Sequence, residues 1–351
     1  MIFVYLILWK PHPGALLSGN SGVVEAFFGD ARLDFEHLLG ILSGVALLPL
    51  LISFLISPLH VLVRSHRWVL MVRNLSNLKL FDSFSLQMVG YLANSVLPLR
   101  MGDIIRGAML GQRQGIPTSS GVGTVLIERM LDAMSLLVIA LGVGLLFPFP
   151  KELAEGAMAF GLIAGLGIIV TIYLAIDKDP FGGRIGRLLG DGKVGRVVRQ
   201  KGGEFVAGFA MFRQTEHHWA IVFETALLWM LYALQGYLIL IAFDFPGQYP
   251  LIGQGPILAS FVVLVISAVG VSLPAAPAGV GTFHAVVIFG FSLFNVPTDP
   301  AAGFALIIHA VSLFFYITVC LPFMWREGLH LNTLKNIEEV ALDKRGKRNR
   351  T

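Results

Sequence analysis

A charged side chain at membrane depth costs roughly 2.5–3.5 kcal/mol on insertion scales, so it persists in an apolar run only where it pairs or meets water. Between residues 94 and 132 this chain sets Arg100, Asp103, Arg106, Glu128, Arg129 and Asp132 among segments apolar enough to lie in a bilayer, and adds the helix breakers Pro98 and Gly102. That combination reads as a functional site around which the other segments are arranged.

Composition supports the bilayer assignment. Of 351 residues, 55% are hydrophobic and 14% charged, against about 25% charged in ordinary soluble domains. The expected fold class is an all-α, polytopic membrane helix bundle. One cysteine, Cys320, lies in an apolar run, which leaves no disulfide framework or cysteine metal site. No zinc spacing, nucleotide loop or nucleophile triad is present, so neither metal nor cofactor is expected. The formal charge of +4 lies mostly in loops and tail, where it reports topology rather than nucleic-acid binding.

Residues 1–38 read as a partial helix or interfacial loop, 39–325 as the transmembrane domain and 326–351 as a basic tail. Leu39–Val63 is charge-free and long enough to span. Arg64, His66, Arg67, Arg73 and Lys79 follow it as a basic, cytoplasmic loop, with Trp68 as an interfacial anchor. Spans are also expected at Thr118–Phe147, Gly156–Ile176, Trp219–Phe243 and Ala301–Trp325. Residues 148–155 and 244–254 then face outward. The basic stretch 178–213 faces the cytoplasm and has the spacing to lie on anionic lipid headgroups, or simply to fix topology. The chain is thus expected to be multi-pass in the cell inner membrane, with a cytoplasmic C-terminus.

Two apolar segments are broken. Phe84–Leu110 is interrupted at Pro98 and Gly102, and Pro256–Asn295 at Pro274, Pro277, Gly279 and Gly281. Counting sides, each enters and leaves by one face, inner for the first and outer for the second. The Pro-x-x-x-Gly spacing of Pro98–Gly102 recurs at Pro277–Gly281. From Pro98 to Glu128 is about 30 residues and from Pro277 to His309 about 32. This is the pattern of an inverted repeat whose re-entrant helices meet near the midplane and line a substrate site. Irregular backbone there must be buried in protein or line a wet cavity, and freed amides at Asp103–Gly107 or Thr282–Ala285 would face an anion.

The candidate substrate-binding residues are Asn94, Asp103, Arg106, Glu128, Arg129, Asp132, His284 and His309. Glu128 and Asp132, at i and i+4, share a helix face, while Arg129 points about 100° away. These charges are either interhelical ion pairs that hold the bundle, or an arginine grip on a lipid phosphate with carboxylates for an amine headgroup. His284 and His309 are either interior histidines or ligands and proton carriers.

The run N-x-x-L-P-x-x-x-G-D-x-x-R from Asn94 to Arg106, the later E-R-x-x-D of Glu128 to Asp132, and P-x-G-x-G from Pro277 to Gly281 resemble the membrane region of lysylphosphatidylglycerol synthases and the stand-alone UPF0104-type membrane proteins. The resemblance runs over about Leu39–Trp325 and implies movement of a lipid between leaflets. It departs at His284, where the family usually has an acid, and near His309, where an arginine is common. About 26 residues follow the last expected span, so the synthases' soluble aminoacyl-transfer domain is expected to be absent. The expected function is therefore a flippase-like translocase for a phospholipid or polyprenyl-linked amphiphile, acting alone, as a homo-oligomer or beside a lipid-modifying enzyme. The alternative is an intramembrane enzyme or scaffold acting on lipid phosphates, with Asp103, Glu128 or His309 as acid or base.

Overall fold

The computed structural model describes residues 35–97, 101–147, 215–272 and 281–326, with isolated positions between 162 and 192. Among these, every regular element is a helix: α1 Phe35–Ser43, α2 Leu47–Val72, α3 Leu80–Val96, α4 Met101–Gln114, α5 Thr118–Leu146, α6 His218–Ala242, the single turns α7 Phe245–Gln248 and α8 Pro250–Gly253, then α9 Pro256–Ser272, α10 Thr282–Ser292 and α11 Thr298–Arg326. Four of them, α2, α5, α6 and α11, are long and apolar enough to cross a membrane. At 1.5 Å per residue the 26 residues of α2 reach about 39 Å, more than the ~30 Å hydrocarbon core. The bundle is all-α and polytopic, as the composition implies.

Three of these spans keep their expected bounds within a few residues. The first does not. Leu39–Val63 is interrupted at Gly44, and α2 then runs on to Val72. Arg64, His66, Arg67 and Trp68 are therefore helical rather than a basic loop, because the apolar run Trp68–Val72 continues the helix beyond them. Trp68 is no surface anchor. It is fully buried, packs with Val72, Leu78, Leu86, Leu110 and Val125, and its indole N–H donates to Thr124 Oγ1 at 3.0 Å.

Both broken segments fold as two helices packed on one another, α3 with α4 and α9 with α10. Pro98, Arg100, Pro274, Pro277 and Gly279 lie outside the described residues, as do 1–34, 148–155, nearly all of 156–176 and 178–213, and the tail 327–351.

The chain forms two compact units. The first takes its described residues from Met1–Ser57, Ile139–Pro148 and Met230–Leu313, and the second from Pro58–Val138, Phe149–Trp229 and Phe314–Thr351. In the first unit Phe243, Phe245, Phe291 and Phe304 form a buried aromatic cluster, Phe245 standing edge-on to Phe291 at 5.3 Å. Its buried polar groups bond between helices: Gln235 Nε2 donates to Ser57 Oγ at 3.0 Å, and Ser260 Oγ to the Ala233 carbonyl. This is what a medium without water demands.

The second unit is drawn together by glycine. A methyl group on Gly102 would run into the Gly90 carbonyl, and one on Gly121 into that of Gly107. A methyl on Gly107 would lie 2.8 Å from Val122 Cα. Helices α3, α4 and α5 thus approach at backbone contact, the arrangement small residues permit in membranes. Gly115, at φ +66°, ends α4, and the Ile116 N–H bonds back to the Gly111 carbonyl at 3.0 Å. That left-handed cap, with Pro117 behind it, turns the chain directly into α5.

Candidate functional site

The second unit gathers seven charged side chains from three helices: Arg64 and Arg67 on α2, Asp103 and Arg106 on α4, and Glu128, Arg129 and Asp132 on α5. Glycine contacts bring α4 against α5, and the i, i+3 spacing of Arg64 and Arg67 aims both at the same carboxylates.

Glu128 is the buried centre, with no exposed surface. One of its oxygens accepts Arg106 Nη1 at 3.0 Å, and the other accepts Arg64 Nε and lies 3.7 Å from Arg67 Nη2. Asp132 also accepts from Arg64, through Nη2, and from Arg67 Nη2 at 2.7 Å. Arg67 Nη1 continues to Thr225 Oγ1 on α6 at 3.0 Å, and the Arg106 guanidinium lies 4.9 Å over the Trp68 ring.

Towards the other end the network opens. Asp103 receives Arg129 through both Nε, at 2.8 Å, and Nη2, and Arg106 Nε stands 3.5 Å away. Arg129 also reaches Asp132 at 3.5 Å. Arg129 is 28% exposed and Asp103 16%, whereas Arg106 is 1% exposed. Each carboxylate thus meets two or more guanidiniums. Among the described residues the network holds four guanidiniums against three carboxylates. Two buried arginines keep donors without an acceptor, Nη2 and Nε of Arg106 and Nε of Arg67.

Of the residues singled out in the sequence, Asp103, Arg106, Glu128, Arg129 and Asp132 meet here. Arg129 does not stand apart from the others, because its long side chain folds back to Asp103. Asn94 has another task. Its Oδ1 accepts the Gly102 N–H at 2.8 Å, capping the start of α4 from α3. His284 and His309 belong to the first unit and so lie outside this network. Gly102 and Gly281 are placed as a helix contact and a helix cap, the latter at φ +90°.

Arg64 and Arg67 also belong to this network, and neither is among the candidates named from the sequence. Their signal was the uninterrupted run Arg64–Val72, in which two arginines on one helix face precede five apolar residues. In sequence the same basic cluster is equally the mark of a cytoplasmic loop.

The family model described as lysylphosphatidylglycerol synthase TM region matches residues 14–320. A UPF0104 membrane protein of Methanothermobacter thermautotrophicus is 24% identical over 76% of this chain and 80% of its own length. The UPF0104 membrane protein MJ1595 of Methanocaldococcus jannaschii is 24% identical over 80% of this chain and 85% of its own. Glycosyltransferase AglD of Haloferax volcanii is 25% identical over 62% of this chain but only 39% of that protein. No solved structure matches the chain significantly.

Proposed function

The chain belongs to the lysylphosphatidylglycerol synthase transmembrane-region family, and from that premise we propose that it is a multi-pass inner-membrane lipid translocase with a cytoplasmic C-terminus. It moves an anionic amphiphile, a phospholipid or polyprenyl-linked lipid phosphate, between leaflets. The observation that carries this reading is the surplus of buried guanidinium donors beside the half-open Arg129–Asp103 pair. Arg106 keeps two nitrogens without a hydrogen-bond partner, and buried guanidinium donors left unbonded among apolar helices are stabilised by an anion brought to them.

A phosphate entering past Arg129 meets that need, since guanidiniums bind phosphate through paired N–H groups. Asp103 and Asp132 hold the Arg129 guanidinium in place between headgroup arrivals. The acyl or prenyl tails remain in the bilayer, against the apolar outer faces of the helices. The enzyme reading has less support, because Glu128, Asp103 and Asp132 are each engaged by two or more arginines, which occupy the oxygens a general acid or base would turn to its substrate.

The test is reconstitution of the full chain in phosphatidylcholine vesicles carrying a trace of headgroup-accessible fluorescent phosphatidylglycerol. Its exposure to external dithionite is followed over time. Protein-dependent loss of the protected inner-leaflet fraction is expected, and its Arg129→Met variant should retain folding with little such activity. Vesicles in which wild-type protein leaves half of the probe protected, across anionic and zwitterionic lipids alike, would contradict the proposal.

A further inference from the structure

Among the described residues of the first unit, the helices carry few titratable side chains, and α1 has Glu36 and His37 by sequence. Helix α9 has none, and neither has the segment 273–280 by sequence. Helix α10 has only His284, and α11 has only His309 within six residues on either side. Asp299, on α11 as well, lies ten residues away, about 15 Å along the helix axis. From α6 the unit offers only the phenols Tyr232 and Tyr237.

Two such isolated histidines from different helices nevertheless come together. Their ring centroids are 4.9 Å apart and tilted by 35°. Rotation of the His309 ring at that separation lets one of its nitrogens accept an N–H from His284. Phe283 stands edge-on to both, 5.8 Å from His284 and 5.4 Å from His309. His284 is fixed by the backbone: the Gly281 N–H donates to its Nδ1 at 3.4 Å. Nδ1 is therefore an acceptor, and the ring's own proton sits on Nε2. The left-handed Gly281 at the start of α10 makes that bond geometrically available.

We propose that His284 and His309 form a one-proton site that couples lipid movement to proton movement. This rests on the translocation reading above. Two neighbouring imidazoles can hold one proton between them, because neutral His309 can take the Nε2–H of His284. A second is opposed by like-charge repulsion in an apolar setting, and among the described residues no carboxylate is bonded to either ring. Loading and unloading this pair adds one positive charge per cycle, which compensates the charge of an anionic lipid phosphate crossing the bilayer.

The experiment uses full-length protein in phosphatidylcholine vesicles with fluorescent phosphatidylglycerol, under an imposed gradient of one pH unit in either direction, with protein-free vesicles as control. The readout is the leaflet ratio of the probe at steady state relative to that without a gradient. One proton per lipid sets a ceiling of tenfold on this ratio, and the account expects a severalfold shift that reverses with the gradient. In His284→Gln and His309→Gln the ratio returns to one whatever their absolute rate. Wild-type protein that moves the probe but leaves the ratio unchanged overturns the coupling and leaves the translocation reading standing. Wild-type protein that moves no lipid contradicts both.

A lipid-independent measurement guards against misfolded variants. In wild-type protein with 15N-labelled histidine, solid-state NMR of the pair should show uptake of a single shared proton, with both rings changing together. Two separate one-proton titrations would overturn the site itself.

Discussion

Arg106 Nη1 donates to Glu128 Oε2 at 3.0 Å, and neither side chain exposes more than 1% of its surface. Glu128 also receives Arg64, so it neutralises guanidiniums arriving from two different helices. Replacing it with glutamine leaves those cations facing one another in a medium that cannot hydrate them. Loss of one partner of a buried pair costs on the order of 3–5 kcal/mol. Glu128→Gln should therefore lower the thermal unfolding midpoint in detergent sharply. Glu128→Gln with Arg106→Met should recover part of the loss, because the pair is removed together.

Asn94 provides a smaller and purely structural prediction. Its carboxamide oxygen caps the Gly102 N–H, a bond worth about 1 kcal/mol in comparable caps. Asn94→Ala should reduce stability by that amount while lipid movement, normalised to folded protein, is retained. A specific loss of transport at unchanged stability would return Asn94 to the list of ligands.

The glycine contacts predict a position-dependent series. Gly121→Ala and Gly107→Ala should force α4 and α5 apart, because each added methyl meets backbone of the neighbouring helix. Gly142→Ala, on the same α5, meets nothing within 4 Å and gains helix propensity instead. Thermal unfolding of the three variants should therefore show two large losses and one neutral or stabilising change. Equal effects at all three positions would show that contact between α4 and α5 is not what those glycines provide.

Topology can be tested with the native cysteine in place. Cys320 is fully buried beside Met88, with its sulfur 3.6 Å from the methionine sulfur, and should stay silent to polar maleimides. A cysteine introduced at Gly247 is expected to react from the outer side, and one at Lys79 from the cytoplasmic side. Reaction of the Gly247 position from the cytoplasm alone would reverse the assigned orientation.

Several of these features can be read in the sequence for one reason: charges and breakers are conspicuous against apolar helices. Spans α5, α6 and α11, the break before α4, and the clustering of Asp103, Arg106, Glu128, Arg129 and Asp132 all follow from that contrast. Arg64 and Arg67 escaped it because a basic cluster after a span is also the mark of a cytoplasmic loop. Charge alone does not say whether the helix continues. Only the burial of Trp68, and the apolar run after it, decides that α2 carries these arginines inward. The contact made by Asn94 is illegible for a related reason: a polar residue beside a break serves equally well as ligand or cap, and only the position of the Gly102 amide shows the capping bond. The neighbourhood of His284 and His309 was illegible, since it depends on how α10 meets α11.

The central claim is that the half-open Arg129–Asp103 pair, joined by two hydrogen bonds of 2.8 and 2.5 Å, binds a lipid headgroup as well as holding α4 to α5. The most direct measurement is the lipid-movement rate of Arg129→Met with Asp103→Asn, compared with each single variant and set beside thermal stability. Removing both charges relieves the unpaired partner, so the double variant should regain most of the stability that Asp103→Asn loses. It has nevertheless lost the exposed cation of the site, so its rate in proteoliposomes should stay at the protein-free level. Stability and transport recovering together would contradict the account and leave the network as a structural clamp.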